Sequence, residues 1–92
     1  MQTHAARILV VEDVSVIAMS RADALRDEGF EIVGPVGSQR RALALLDVAG
    51  VDAVVLELTL EDGLCTGLAA TLRGRGAIRH LLRLSSRQRG QA

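Results

Sequence analysis

Hydrophobic and polar positions along this chain switch between two periods. Ile8-Leu9-Val10-Val11 is a continuous apolar run of β-branched character, the pattern of a strand buried on both faces. It ends in two adjacent carboxylates, Glu12 and Asp13. From Val14 to Glu28 the period lengthens, and Val16, Ile17, Leu25 and several alanines recur at helical spacing. Ser15 is the expected N-cap of that helix, Met19 part of its packing, and Gly29 its left-handed terminator. Glu31-Ile32-Val33 resumes as a strand, expected to stop at Gly34-Pro35 because proline has no N–H for a ladder. Ser38 caps a second predicted helix, Gln39 to Val48, with Leu43, Leu45 and Leu46 as its apolar stripe, and Gly50 closes it.

The third strand is predicted over Val51 to Leu58. Within Ala53 to Leu60, an otherwise apolar run, one carboxylate is set: Glu57. Glu61-Asp62-Gly63 reads as a turn, and Thr66 opens a third helix that runs through Leu72 and is broken by Gly74 and Gly76. Ala77 to Ala92 fits two patterns. As a strand, Ile78, His80, Leu82 and Leu84 line one face; as a helix, Arg75, Arg79, Arg83 and Arg87 form a cationic stripe. The order of the preceding elements calls for the strand. Strands and helices in alternation, joined by a few residues, imply right-handed βαβ units and a parallel sheet. If strands one and three are neighbours, their C-terminal ends bring together Glu12, Asp13 and Glu57, at the edge where such sheets bind ligands.

Composition narrows the picture. The 92 residues are one small domain, 49% apolar, with Phe30 as the only aromatic, so the core is built from Leu, Val, Ile and Ala. Base stacking, the usual device for holding single-stranded nucleic acid, is almost lacking. Net charge is zero, yet residues 1–62 carry all 11 acids while 63–92 carry arginines alone. A basic tail on an acidic body fits its own body, a second copy or an external polyanion. Cys65 is the only cysteine, which excludes an intrachain disulfide and a cysteine metal cluster. No secretory signal or membrane span is expected, and the protein reads as cytoplasmic. His4 and His80 belong to no metal or nucleophile motif, and Gly34-Pro35-Val36-Gly37 lacks the Gly-Lys-Ser/Thr of a phosphate loop.

The ordered set Ile8-Leu9-Val10-Val11-Glu12-Asp13, Asp27-Glu28-Gly29-Phe30, Val33-Gly34-Pro35 and Ala53-Val54-Val55-Leu56-Glu57 resembles the receiver domain of two-component response regulators, from about Arg7 to Ser86. The resemblance implies a three-layer, flavodoxin-like α/β fold. Here it comprises the first four parallel strands in the order 2-1-3-4, truncated before the family's fifth strand and last helices. Residues 1–6 are then a leader, 7–86 the domain and 87–92 a basic tail.

The resemblance also implies site roles. Glu12 and Asp13 match the acidic pair that binds Mg²⁺, and Glu57 stands where an aspartate accepts the phosphoryl group from a histidine kinase. Thr59 would give the metal its backbone carbonyl, and Ser85 matches the switch hydroxyl. The chain departs from the pattern in having Glu for Asp at 57 and no lysine at all.

Oxygen donors from Glu12, Asp13, Glu57 and a carbonyl suit weak Mg²⁺ binding. The added methylene displaces the acceptor carboxylate by roughly 1.5 Å, and a shift of about 1 Å costs on the order of 100-fold in a positioned reaction. The expected function is therefore a non-catalytic, non-phosphorylatable receiver module that acts by protein–protein contact. Its partners would be a second copy in a homodimer, a histidine kinase or an intact response regulator. A working Mg²⁺-dependent phosphoacceptor is the alternative. A further one is binding of an acidic partner or nucleic acid through Arg75, Arg79, Arg83 and Arg87, with nucleic acid the less expected of the two.

Overall fold

The structure, a computed structural model, describes residues 5–57, 59–60, 62–64, 66–75 and 80–84. In chain order these form β1 (Arg7–Val11), α1 (Ser15–Asp27), β2 (Glu31–Val36), α2 (Gln39–Val48), β3 (Ala53–Glu57), β4 (Thr59–Leu60), β5 (Gly63–Leu64), α3 (Thr66–Arg75) and β6 (His80–Leu84). Four strands make one parallel sheet in the order β2-β1-β3-β6, and β4 and β5 pair as a separate antiparallel hairpin. The main sheet has the order expected from the sequence, and 80–84 is strand.

β1 sits between β2 and β3, which explains its unbroken apolar run: Leu9, Val10 and Val11 are wholly buried. Alternation divides its side chains between two faces. Leu9 and Val11 join Val33, Val54 and Leu56 in a core completed by Ala42 of α2 and by Leu68, Ala69 and Leu72 of α3. Ile8 and Val10 belong to the opposite face, the side of α1, whose buried residues are Ala18 and Ala22.

Several expectations are corrected. Val16 and Met19 are 77% and 63% exposed; the inner stripe of α1 is Ala18, Arg21, Ala22 and Leu25, so those two side chains point away from the sheet. β2 does not stop at Gly34-Pro35 but runs to Val36, across a cis Gly34–Pro35 peptide. Its register against β1 slips by one residue between Leu9 and Val11, which leaves the proline in a bulge on an edge strand, where its missing N–H breaks no ladder. The third strand is Ala53–Glu57, starting two residues later than Val51, while Leu58 lies outside the described residues. α3 continues through Gly74 to Arg75; one glycine costs a helix only about 1 kcal/mol, and buried Leu68, Ala69 and Leu72 outweigh it.

Gly29 follows α1 with φ +96, as a terminator of that kind requires. Ser38 caps α2 as expected, its side chain accepting from the Arg41 amide at 3.2 Å. No helix among the described residues is long and apolar enough to cross a membrane. The leader residues 1–4, Cys65 and the tail 87–92 lie outside the described residues.

Candidate functional site

The site is built at the C-terminal ends of β1 and β3, which run parallel and in register from Ile8 with Ala53 to Val11 with Leu56. Glu12 follows β1 and Glu57 is the last residue of β3, so the parallel pairing puts both carboxylates at one end of the sheet. Leu56 belongs to the core beneath α2 and α3. Alternation therefore turns Glu57 to the other face, the side of α1.

Both carboxylates are buried, Glu12 at 3% and Glu57 at 0% exposure. Arg21 of α1 reaches both: its Nη1 lies 2.9 Å from Glu12 Oε1 and 3.7 Å from Glu57 Oε2. Glu12 Oε2 accepts a hydrogen bond from the Val14 amide at 3.0 Å, and its own backbone N–H donates to the Val36 carbonyl at 2.8 Å. That bond ties Glu12 to Val14, which holds the N-cap position of α1. The expected cap, Ser15, is instead the first helical residue, preceded by Val14, which offers no side-chain bond.

Burial pushes the Glu12 carboxyl up to about 7. The Val14 amide opposes that rise, a hydrogen bond shared with Glu57 and the charge of Glu57 add to it, and the Arg21 charge opposes it. Desolvation penalises the ionised form, and two carboxylates this close cannot both ionise cheaply. The Arg21 guanidinium, close to both carboxylates, offsets part of their mutual repulsion.

Asp13 is half-buried beside this pair. It and Glu12 form part of the wall of a cleft of about 320 Å³, whose other sides include Met19, Pro35, Val36 and Arg41. Glu57 does not line that cleft.

Mg²⁺ is the ion that the sequence points to. The donors are all oxygens, which suits it, but their arrangement does not. Among the described residues no group of three or more His, Cys, Asp and Glu side chains is placed to hold a metal ion. Glu12 and Glu57 are already matched by Arg21. As placed, Glu12 and Glu57 turn their carboxylates to Arg21 and not to a shared cation position.

The other expected residues are dispersed. Thr59 opens β4, two residues beyond Glu57. Arg75 ends α3 and Arg83 lies in β6, paired in register with Leu56, so the two are not on one helical stripe. Ser85, Arg79 and Arg87 lie outside the described residues. Arg21 was not expected at the site. The available signal was its place in the stripe Ala18, Arg21, Ala22, Leu25, where the only charged residue falls on the buried face.

No family model matches the chain. Over 60 residues, 63% of its length, the chain is 37% identical to the transcriptional regulatory protein PdtaR of Mycobacterium tuberculosis, with 29% of that protein covered. The chain thus spans less than a third of the length of this curated relative. Among solved structures, it superposes on the MaeR response regulator bound to beryllium trifluoride with a TM-score of 0.80 at 22% identity, covering 88% of this chain and 67% of the other. The response regulator PhyR from Brucella abortus gives 0.80 at 24% identity, over 89% and 34% of the two chains. The response regulator TrrA from Thermotoga maritima, solved in complex with Mg²⁺ and a beryllium fluoride, gives 0.73 at 20% identity, over 89% of each.

Proposed function

This chain has the fold of a response-regulator receiver domain, and on that premise we propose that it is a cytoplasmic receiver module of two-component signalling that acts by protein–protein contact, without phosphoryl transfer. The observation that carries this reading is the state of Glu57. It stands at the end of β3, where the resemblance places the phosphoacceptor, yet it is 0% exposed and in contact with Arg21 and Glu12. Phosphoryl transfer to a carboxylate depends on in-line positioning and charge stabilisation. The cleft that opens to solvent is lined by Glu12 and Asp13 but not by Glu57. The longer glutamate side chain reaches its partners instead of an incoming donor.

In this reading the module is not an enzyme. Candidate partners are a histidine kinase, an intact response regulator and a second copy. Two features support a docking role. Val16 and Met19, one turn apart on α1, expose apolar surface, and the acidic body and arginine-rich C-terminal third carry equal and opposite charge.

The experiment is intact mass after incubation with acetyl phosphate and MgCl₂, run on the wild type and on Glu57→Asp. The wild type is expected to stay unmodified. Addition of one phosphoryl group to the wild type overturns the proposal and makes the chain a working phosphoacceptor.

A further inference from the structure

Two buried carboxylates at the end of a sheet require a positive charge or protons. In this fold the structure supplies a charge from within. The Arg21 side chain is 17% exposed and lies against carboxylates that are 0% and 1% exposed. Guanidinium is always charged and more weakly hydrated than ammonium, so it is the side-chain cation best suited to such a place. Its position follows from the helix: Arg21 falls three residues after Ala18 and next to Ala22, both buried, so packing of α1 on the sheet carries the guanidinium to the ends of β1 and β3.

We propose that Arg21 is the resident cation of this site: it takes the place between Glu12 and Glu57 that a divalent metal would need, and closes the site to Mg²⁺. This goes beyond the functional reading above, which concerns phosphoryl transfer and partners. A Mg²⁺ ion takes carboxylate oxygens at about 2.0–2.1 Å and tolerates little distortion. Arg21 already engages an oxygen of each carboxylate, and a guanidinium and a divalent ion on the same pair repel one another. Metal entry therefore requires Arg21 to leave. Leaving would strip the pair of the guanidinium that lies between its two carboxylates, while α1 stays anchored by Ala18 and Ala22.

The test is the thermal midpoint of the wild type and of Arg21→Gln in about 10 mM MgCl₂, against NaCl of equal ionic strength. The wild type is expected not to respond, and Arg21→Gln to gain about 5 °C or more, the shift for a site occupied at several times its Kd in a domain of this size. A wild-type midpoint that rises with Mg²⁺ as much as the variant's overturns the inference, and so does a folded variant that ignores Mg²⁺. If Arg21→Gln is unfolded in NaCl, recovery of its circular dichroism in MgCl₂ supports the inference and failure to recover counts against it.

A second readout uses the wild type alone. The Nε–H resonance of Arg21 is expected to stay in place through the same titration, and its displacement by Mg²⁺ overturns the inference. A wild type that binds Mg²⁺ but remains unmodified by acetyl phosphate would sink this inference and leave the functional reading standing.

Discussion

The Oε2 of Glu12 accepts the amide N–H of Val14 at 3.0 Å, so the acid that ends β1 also holds the start of α1. One carboxyl group thus serves a helix terminus, an arginine and a second carboxyl group, and it is buried while doing so. The cost appears in its proton affinity, raised from the usual 4.5 to about 7. Below 4.5 the group is protonated in both folded and unfolded chains and contributes no pH dependence. Between 4.5 and about 7 the folded chain binds the extra proton, so stability falls as pH rises, by on the order of 3 kcal/mol across the window. Chemical denaturation at pH 5 and pH 8 without divalent ions measures this difference. Glu12→Gln keeps an oxygen for Val14 and is expected to flatten the slope.

Arg21 has the complementary dependence. Removing one member of a buried ion pair leaves the other uncompensated, at a cost of about 3 kcal/mol. Arg21→Met is therefore expected to lose about that much at pH 8. At pH 5 the loss is smaller, because protonation of Glu12 relieves the charge that Arg21 otherwise balances. Urea midpoints of the variant and the wild type at both pH values, in a chelator, check the ordering.

Much of the fold was legible because one residue-level cause dominated each element. The run Ile8 to Val11 has no polar face, and a strand flanked on both sides needs none. Ser38 lies before an amphipathic run and caps it. The failures occurred where the local signal was overridden. Ser15 is a good N-cap by type, but the helix starts one residue earlier: Val14 holds the cap position, and its carbonyl accepts the Ala18 amide at 2.9 Å. Pro35 reads as a stop, but a bulge on an edge strand absorbs it. Of the site, the pairing of Glu12 with Glu57 followed from parallel topology. Arg21 did not, because its role depends on which face of α1 meets the sheet, and the apolar spacing that included Val16 pointed to a different face.

Gly34 and Gly29 separate backbone strain from steric contact. Both have positive φ, +88 and +96, where an L side chain costs about 1–2 kcal/mol. A Cβ on Gly29 meets nothing within 4 Å, whereas one on Gly34 meets the Val36 nitrogen at 3.0 Å and the Val10 carbonyl oxygen at 3.3 Å. Both contacts are backbone and cannot swing away. Gly34→Ala is expected to lose at least twice the stability that Gly29→Ala loses, measured by thermal unfolding.

The hairpin after β3 fastens two helices at once. Asp62 Oδ1 accepts from the Gln39 amide at 2.9 Å and its Oδ2 from the Arg40 amide at 3.3 Å, in the first turn of α2. Gln39 then passes the connection on, its Oε1 accepting from the Leu68 amide at 3.2 Å at the start of α3. The Gln39 amide, followed by that of Arg40, holds the Asp62 carboxyl below its usual 3.8. Its contribution is therefore present above 3.8 and is lost as pH falls through the lower folded value. Asp62→Asn is expected to weaken the same bonds at neutral pH by removing the charge. Gln39→Ala leaves Asp62 on α2 but severs the link to α3. Hydrogen exchange at the Leu68 amide is expected to accelerate roughly tenfold in Gln39→Ala, the effect of losing about one hydrogen bond, while the amides of β1 keep their wild-type protection. Equal acceleration at both places would mean that the variant unfolds globally and that the clamp is not local.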